Sequence, residues 1–238
     1  MTPTTPSAAD PPTVLARCAA VSRTFRRGGV EVPAVRKVDC TVLARTRIAL
    51  TGRSGSGKST LLHLLAGLDR PTAGTISWPG LGRSPRERPG LVGVVFQGPS
   101  LIPALDVQEN VALPLLLAGV RETDAVERAA AALDGLALGA LAAALPEELS
   151  GGQAQRVAIA RVLAGRPALV LADEPTGQLD RDTAAQVMTA LLQAADELDA
   201  TVVVATHDPE VAGRLSRQWR MDDGALLAPE EEPCAQPS

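Results

Sequence analysis

The chain has no tyrosine, two phenylalanines and two tryptophans among 238 residues, so an aromatic platform for a ligand has few candidates. Lysine is equally scarce. Basic residues are almost all arginine, and the only lysines are Lys37 and Lys58, which leaves Lys58 conspicuous. Positive charge is not in excess either: a formal net charge of −4 supplies no bulk basic field to recruit nucleic acid or an anionic membrane. The three cysteines, Cys18, Cys40 and Cys234, are odd in number and lack C-x-x-C spacing. That argues against a disulfide framework or a zinc site and fits a reducing cytoplasm. Met1–Pro12 lacks the basic-then-apolar plan of a signal peptide. The longest uncharged stretch, Pro89–Leu105, is broken by Gly, Pro and Gln and makes a poor membrane span. These absences predict a soluble chain that meets a membrane only through a partner. With 45% hydrophobic and 21% charged residues, the length suits one globular domain, or one carrying an inserted subdomain.

The stretch Gly52-Arg53-Ser54-Gly55-Ser56-Gly57-Lys58-Ser59-Thr60 fits G-x-x-x-x-G-K-[ST] at every fixed position. Its glycines permit backbone conformations that a side chain forbids, so successive N–H groups can turn inward around phosphate oxygens. Lys58, at a solvent-facing loop end, adds a point charge for the outer phosphates, and Ser59 offers a hydroxyl to Mg²⁺. A helix starting there aims its positive end at the anion. The flanks agree: Arg47–Thr51 (RIALT) reads as a short buried strand and Leu61–Leu68 (LLHLLAGL) as an apolar helix.

Along the rest of the chain, Thr13–Ala20 and Val38–Leu43 read as strands around a turn at Arg26–Gly29. Phe25, just before that turn, is either a hairpin packing residue or a surface on which adenine stacks. Thr75–Trp78 and Leu91–Phe96 read as strands, and Leu81–Gly90 as loop. From Val107 to Leu145 the texture turns Ala/Leu-rich with helical spacing, either a helical insert or an ordinary amphipathic pair. Pro167–Ala172 and Thr201–Ala205 are further buried strands, with Thr183–Leu198 a helix between them. Strands alternating with helices predict an α/β fold with a largely parallel sheet, whose strand carboxyl ends carry the ligands. Those ends bring Gln97, Asp173, Glu174 and His207 beside the phosphate loop. Met1–Pro12 and Pro229–Ser238 read as disordered.

Asp173 closes an apolar strand, the position from which a carboxylate assists Mg²⁺ in phosphate-loop nucleotidases. Glu174, next to it, is then free to orient or deprotonate a water. A pair of solvated loop acids is the plainer alternative. Leu149-Ser150-Gly151-Gly152-Gln153 precedes a helical run and reads either as a Ser-Gly-Gly cap or as a second anion site at a helix start. One cassette needs two phosphate sites only if the second serves another subunit's nucleotide.

Taken together, these motifs resemble those of the ATP-binding subunit of ABC transporters, over essentially Val14–Leu227. GRSGSGKST is similar to the family's Walker A, LSGGQ to its signature motif and ALVLADE to its Walker B. Gln97 resembles the Q-loop glutamine, Gly177-Gln178-Leu179-Asp180 the D-loop, His207 the switch histidine, and Phe25 the aromatic A-loop position, usually Tyr. Within the family, SLIPALDVQENVALPLLLAG, ELSGGQAQRVAIARVLA and LADEPTGQLD are similar to one branch. It comprises the ATPases of lipoprotein-release, macrolide-export and antimicrobial-peptide-resistance systems, and includes a cell-division ATPase. Some positions depart from the pattern, and the segment Leu81–Gly90 is shorter than the Arg-rich helical segment often found there. Arg45-Thr46 stands where the family usually has a Gly-Glu turn, Ala154 replaces a common Gln, and Gln178 a common Asn.

The resemblance implies a phosphate-loop cassette: a RecA-like core, an N-terminal antiparallel β subdomain and an α-helical subdomain at about 98–160, within a domain at 13–228. It implies two copies arranged head to tail, each ATP held by Gly52–Thr60 of one copy and by Ser150, Gly151, Gly152 and Gln153 of the other, with Asp180 nearby. Lys58 and the loop amides take the outer phosphates, Ser59, Gln97 and Asp173 the Mg²⁺, Glu174 the water, His207 the γ-phosphate and Phe25 the base. A separate membrane permease is the partner, nucleic acid is not, and the chain is expected on the inner face of the plasma membrane. A soluble ABC-type ATPase and a cell-division coupling scaffold are the alternatives.

Overall fold

The computed structural model of the protein describes residues 13–88 and 90–227. The tails expected to be disordered, 1–12 and 229–238, lie outside the described residues, as does Cys234. Two sheets share the chain. An antiparallel sheet of order β2-β1-β4 holds β1 (Val14–Arg27), β2 (Val30–Leu43) and β4 (Ala73–Ser77). The second sheet, of order β5-β6-β7-β3-β8-β9, holds β3 (Arg47–Thr51), β5 (Val92–Val95), β6 (Leu169–Asp173), β7 (Thr201–Thr206), β8 (Arg217–Asp222) and β9 (Ala225–Leu227). Its first five strands are parallel and β9 returns antiparallel to β8. The helices are α1 (Lys58–Leu65), α2 (Val107–Leu117), α3 (Glu122–Gly135), α4 (Gly151–Leu163), α5 (Arg181–Glu197) and α6 (Pro209–Ala212).

The central strands carry continuous apolar runs between their ends because both of their faces are buried. Ile48, Leu50, Leu169, Leu171, Val203 and Ala205 point to one core, shared with α1 and the antiparallel sheet. Their neighbours Ala49, Val170, Ala172, Val202 and Val204 point to the other, shared with α2, α3, α4 and α5. Helix α1 lies between the two sheets, which explains why Leu61, Leu62, Leu64 and Leu65 are all fully buried.

Several boundaries differ from the sequence reading. β1 and β2 run far longer than Thr13–Ala20 and Val38–Leu43. They stay paired through Arg27↔Val30, so the turn shrinks to Gly28-Gly29, both at positive φ. Bulges near Val21 and Arg23 absorb the irregular alternation that hid these strands. The helix after the loop starts at Lys58 and ends at Leu65 rather than spanning Leu61–Leu68. Gly67, at φ 70°, turns the chain, and Leu68 is exposed. β8 (RQWRMD) carried too few apolar residues to be recognised, and β9, at three residues, was too short. The Arg45-Thr46 turn forms with Arg45 at φ 58°, and Thr46 Oγ1 donates to Leu43 O at 2.7 Å.

Candidate functional site

The chain leaves β3 into the glycine-rich loop, and two of its glycines are demanded by close backbone approach. A Cβ on Gly52 (φ 146°) would lie 2.3 Å from Met221 O of β8, and one on Gly57 (φ 101°) 2.1 Å from Ala34 O of β2. The loop is therefore clamped between strands of both sheets. Gly55 (φ 79°) faces open space, so it is needed for its dihedral alone. Arg53, Ser54, Ser59 and Thr60 keep accessible surface, while Ser56 is buried with its Oγ unpartnered.

Lys58 departs from expectation. The sequence places it at a solvent-facing loop end, yet it is only 7% exposed. Its Nζ donates to Gly52 O at 2.8 Å and Arg53 O at 3.2 Å, and lies 3.8 Å from Glu174 Oε1. It starts α1 and leans back over the loop, so its charge is shielded from bulk water.

The ends of β5, β6 and β7 converge on this lysine. Gln97, Glu174 and His207 line a cleft of about 430 Å³ together with Ser54, Gly55, Lys58, Ser59 and Thr60. A larger hollow of about 610 Å³ adjoins it past His207, toward β8. Glu174 sits at φ 46°, a left-handed conformation that costs a non-glycine residue of order 1–3 kcal/mol and persists only when its surroundings impose it. They do: its N–H donates to Ala205 O at 2.9 Å, and its O accepts from Gly177 N–H at 3.1 Å. His207 Nδ1 lies 2.9 Å from both Glu174 carboxylate oxygens. An ionised Glu174 offers only acceptors, so Nδ1 carries the hydrogen and Nε2 is left for another partner. A carboxylate 15% exposed, between an ammonium and an imidazole, is held in place and still reachable by a water.

Asp173 ends β6 with Oδ1 buried and unpartnered. A buried carboxylate oxygen without a donor is costly unless a cation completes it. Among the described residues no three His, Cys, Asp or Glu side chains are arranged to hold a metal ion by themselves. A divalent ion here would therefore have one carboxylate plus neutral oxygens, a set that suits a hard cation sharing its shell with water and phosphate.

Other expected site residues are not brought to this cleft. Ser150 and Gln153 form a reciprocal cap at the start of α4: Gln153 N–H donates to Ser150 Oγ at 3.3 Å, and Ser150 N–H to Gln153 Oε1 at 2.8 Å. Gly151 is exposed, whereas Gly152 is buried where a Cβ would fall 2.3 Å from Thr183 Cγ2. Asp180 caps α5 by accepting from Thr183 N–H at 3.0 Å, and hydrogen bonding to Thr183 holds its carboxyl below the usual range. The α4 start and the Asp180 turn thus meet each other within the chain. Phe25, 37% exposed, stands on the hairpin above the loop.

Two residues went unnoticed in the sequence. Gln155, buried in α4, donates to Phe96 O at 3.2 Å. Arg161 donates to Ser100 O at 2.9 Å and Pro99 O at 3.0 Å. They tie α4 to the segment after β5 that carries Gln97. The only available signal was a polar side chain among the apolar residues of α4.

Residues 35–177 match the ABC transporter family. The lipoprotein-releasing system ATP-binding protein LolD of Hydrogenovibrio crunogenus is 43% identical over 218 residues, covering 89% of this chain and 95% of that protein. LolD of Legionella pneumophila is 42% identical over 215 residues, covering 87% and 95%. Among solved structures, the dimeric post-hydrolysis state of the ATP-binding cassette MJ0796, bound to ADP and Pi, superposes with a TM-score of 0.80 at 35% identity, covering 90% of this chain and 97% of that one.

Proposed function

Because the chain belongs to the ABC transporter family as an ATP-hydrolysing subunit, we propose that it powers a separate membrane permease of the lipoprotein-releasing kind. What supports that branch is identity to LolD proteins along nearly the whole of both chains. The observation that carries the hydrolytic chemistry is Glu174, held 2.9 Å from His207 Nδ1 and 3.8 Å from Lys58 Nζ at the rim of the glycine loop.

In this reading the amides of Gly52–Thr60 receive the outer phosphates of ATP, and Lys58 supplies a sheltered cation beside them. Ser59, Gln97 and Asp173 would hold Mg²⁺, which when bound withdraws charge from the phosphate oxygens. Glu174 orients the attacking water and accepts its proton. His207 keeps that carboxylate aimed and contacts the γ-phosphate, and Phe25 receives the base. Ser150, Gly151, Gly152, Gln153 and Asp180 serve the nucleotide of a second copy, because their own chain keeps them away from its loop. Two copies thus close around two nucleotides, and opening after hydrolysis is the stroke delivered to the permease. Residues 98–160 form the helical subdomain, with α2, α3 and α4 sharing a core around Val111, Ala129, Leu133 and Val157. The described residues hold no helix long and apolar enough to cross a membrane. The permease therefore brings the chain to the inner face of the plasma membrane.

Phosphate release is the test. Glu174→Gln preserves shape and removes the basic oxygen, so hydrolysis should fall by about 10²–10⁴-fold while ATP still binds. Near-normal release would place the base elsewhere.

A further inference from the structure

Arg23, Phe25 and Asp69 form a stack that the roles above leave unused. The Arg23 guanidinium carbon lies 4.4 Å from the centroid of the Phe25 ring, over its face. Arg23 Nε donates to Asp69 Oδ2 at 2.8 Å, and Asp69 Oδ1 accepts from the Arg70 N–H at 2.7 Å. Both carboxylate oxygens are engaged, so Asp69 cannot turn without losing a bond. The two side chains are 24% and 25% exposed, in contrast to the Arg26–Glu31 pair at the hairpin tip, exposed 82% and 65%. A sheltered, directional pair of this kind fixes the plane of the guanidinium. With one face of Phe25 taken by the cation, its accessible surface is the opposite face and the rim.

The location matters as much as the stack. Phe25 pairs with Val32 across the hairpin. Ala34, two residues further along β2, backs Gly57 and borders the phosphate cleft. The ring therefore stands about 7 Å along the strand from that border. Helix α1 connects the same two points from behind. It opens with Lys58, and past its C-terminal turn, where Leu68 and Asp69 N–H close on His63 O, it presents Asp69. One helix carries the phosphate-binding lysine at its start and the anchor of the aromatic ring beyond its end.

We propose that Arg23, pinned by Asp69, is a positioning residue for the nucleobase, holding Phe25 in one orientation with a single face open to a purine. This rests on Phe25 being the base platform. The cation draws π density toward its own side, which makes the open face a better partner for an electron-rich purine. A ring already held also loses less freedom when the base arrives.

The experiment is equilibrium ATP titration and steady-state phosphate release on the full chain, for Arg23→Met, Arg23→Lys, Asp69→Asn, Phe25→Ala and the double variant Phe25→Ala with Arg23→Met. Arg23→Met should raise the Kd and KM for ATP about three- to tenfold, with kcat little changed. Arg23→Lys should restore most of the affinity, and Asp69→Asn should shift it in the same direction by less. In the Phe25→Ala background, Arg23→Met should add nothing, a coupling that a purely structural ion pair lacks. If Phe25→Ala weakens ATP and Arg23→Met does not, the positioning role is wrong and the platform stands. If Phe25→Ala leaves affinity unchanged, the platform falls and the positioning role with it. Tighter binding by Arg23→Met would mean that the guanidinium covers the face the base needs. Full additivity with Phe25→Ala would reduce Arg23 to a strut of the fold. Arg23→Lys and Asp69→Asn keep the question decidable if Arg23→Met folds poorly.

Discussion

Lys58 has two sets of partners. Its ammonium satisfies the carbonyls of Gly52 and Arg53, so it shapes the loop it serves. Lys58→Ala should therefore weaken ATP binding and also cost about 1–3 kcal/mol of stability by leaving those carbonyls unpaired. Denaturant unfolding beside nucleotide titration separates the two effects. Lost affinity with unchanged stability would show the carbonyl bonds to be idle. From the sequence alone this residue reads as solvent-facing, because a motif specifies spacing and chemistry but not which way a side chain leans. Arg45 offers a second residue-level test. It occupies the left-handed turn that its relatives are expected to fill with glycine, and its 3.3 Å pair with Asp199 is exposed on both sides. Exposed pairs contribute little. Arg45→Gly should therefore stabilise the fold by up to about 1 kcal/mol, seen as a rise in Tm with unchanged ATPase rate.

Among the elements, α4 carries the most relationships. Its start is the Ser150–Gln153 cap, its buried face joins the core, and Gln155 and Arg161 reach the backbone after β5. Burial lowers the Arg161 pKa from its ordinary value by penalising the charged form, though arginine stays protonated. Its two bonds run to Pro99 O and Ser100 O, two and three residues past Gln97. Arg161→Met should lower stability by about 1.5–3 kcal/mol, the range for hydrogen bonds from charged donors. It should also raise the Mg²⁺ concentration needed for half-maximal phosphate release, because Gln97 loses its fixed neighbour. Titrating Mg²⁺ at saturating ATP checks this. A stability loss with an unchanged Mg²⁺ requirement would limit Arg161 to packing.

Across the whole molecule, the two cores meet at a sheet whose carboxyl edge carries Gln97, Asp173, Glu174 and His207, while Ser150 and Asp180 gather elsewhere on the same chain. In the proposed two-copy reading, such a division leaves one chain with half of each nucleotide site. Glu174→Gln should therefore accumulate as a dimer with MgATP and stay monomeric without it, as read by gel filtration over a range of protein concentrations. A variant that binds ATP yet remains monomeric even at the highest concentration would count against the two-copy arrangement.

The α/β class, the phosphate loop and the identity of the strand-end residues were legible in the chain itself. Apolar strands buried on both faces leave continuous runs such as PALVLA and TVVVA, and phosphate chemistry demands fixed glycine and lysine spacing. Those are local requirements, written in neighbouring residues. Other features had no local signature. The long β1–β2 hairpin was hidden by bulges, β8 by its polar composition and β9 by its length of three residues. The cross-strand pairing of Cys18 with Cys40, both free thiols, shows only once the register is set. Burial of Lys58, the His207–Glu174 contact and the Arg23–Asp69 anchor likewise wait on the fold. Each joins residues that the chain separates and only the tertiary structure brings within a few ångströms. Their energies depend on burial and direction, which residue types do not encode until the two cores have closed around the loop.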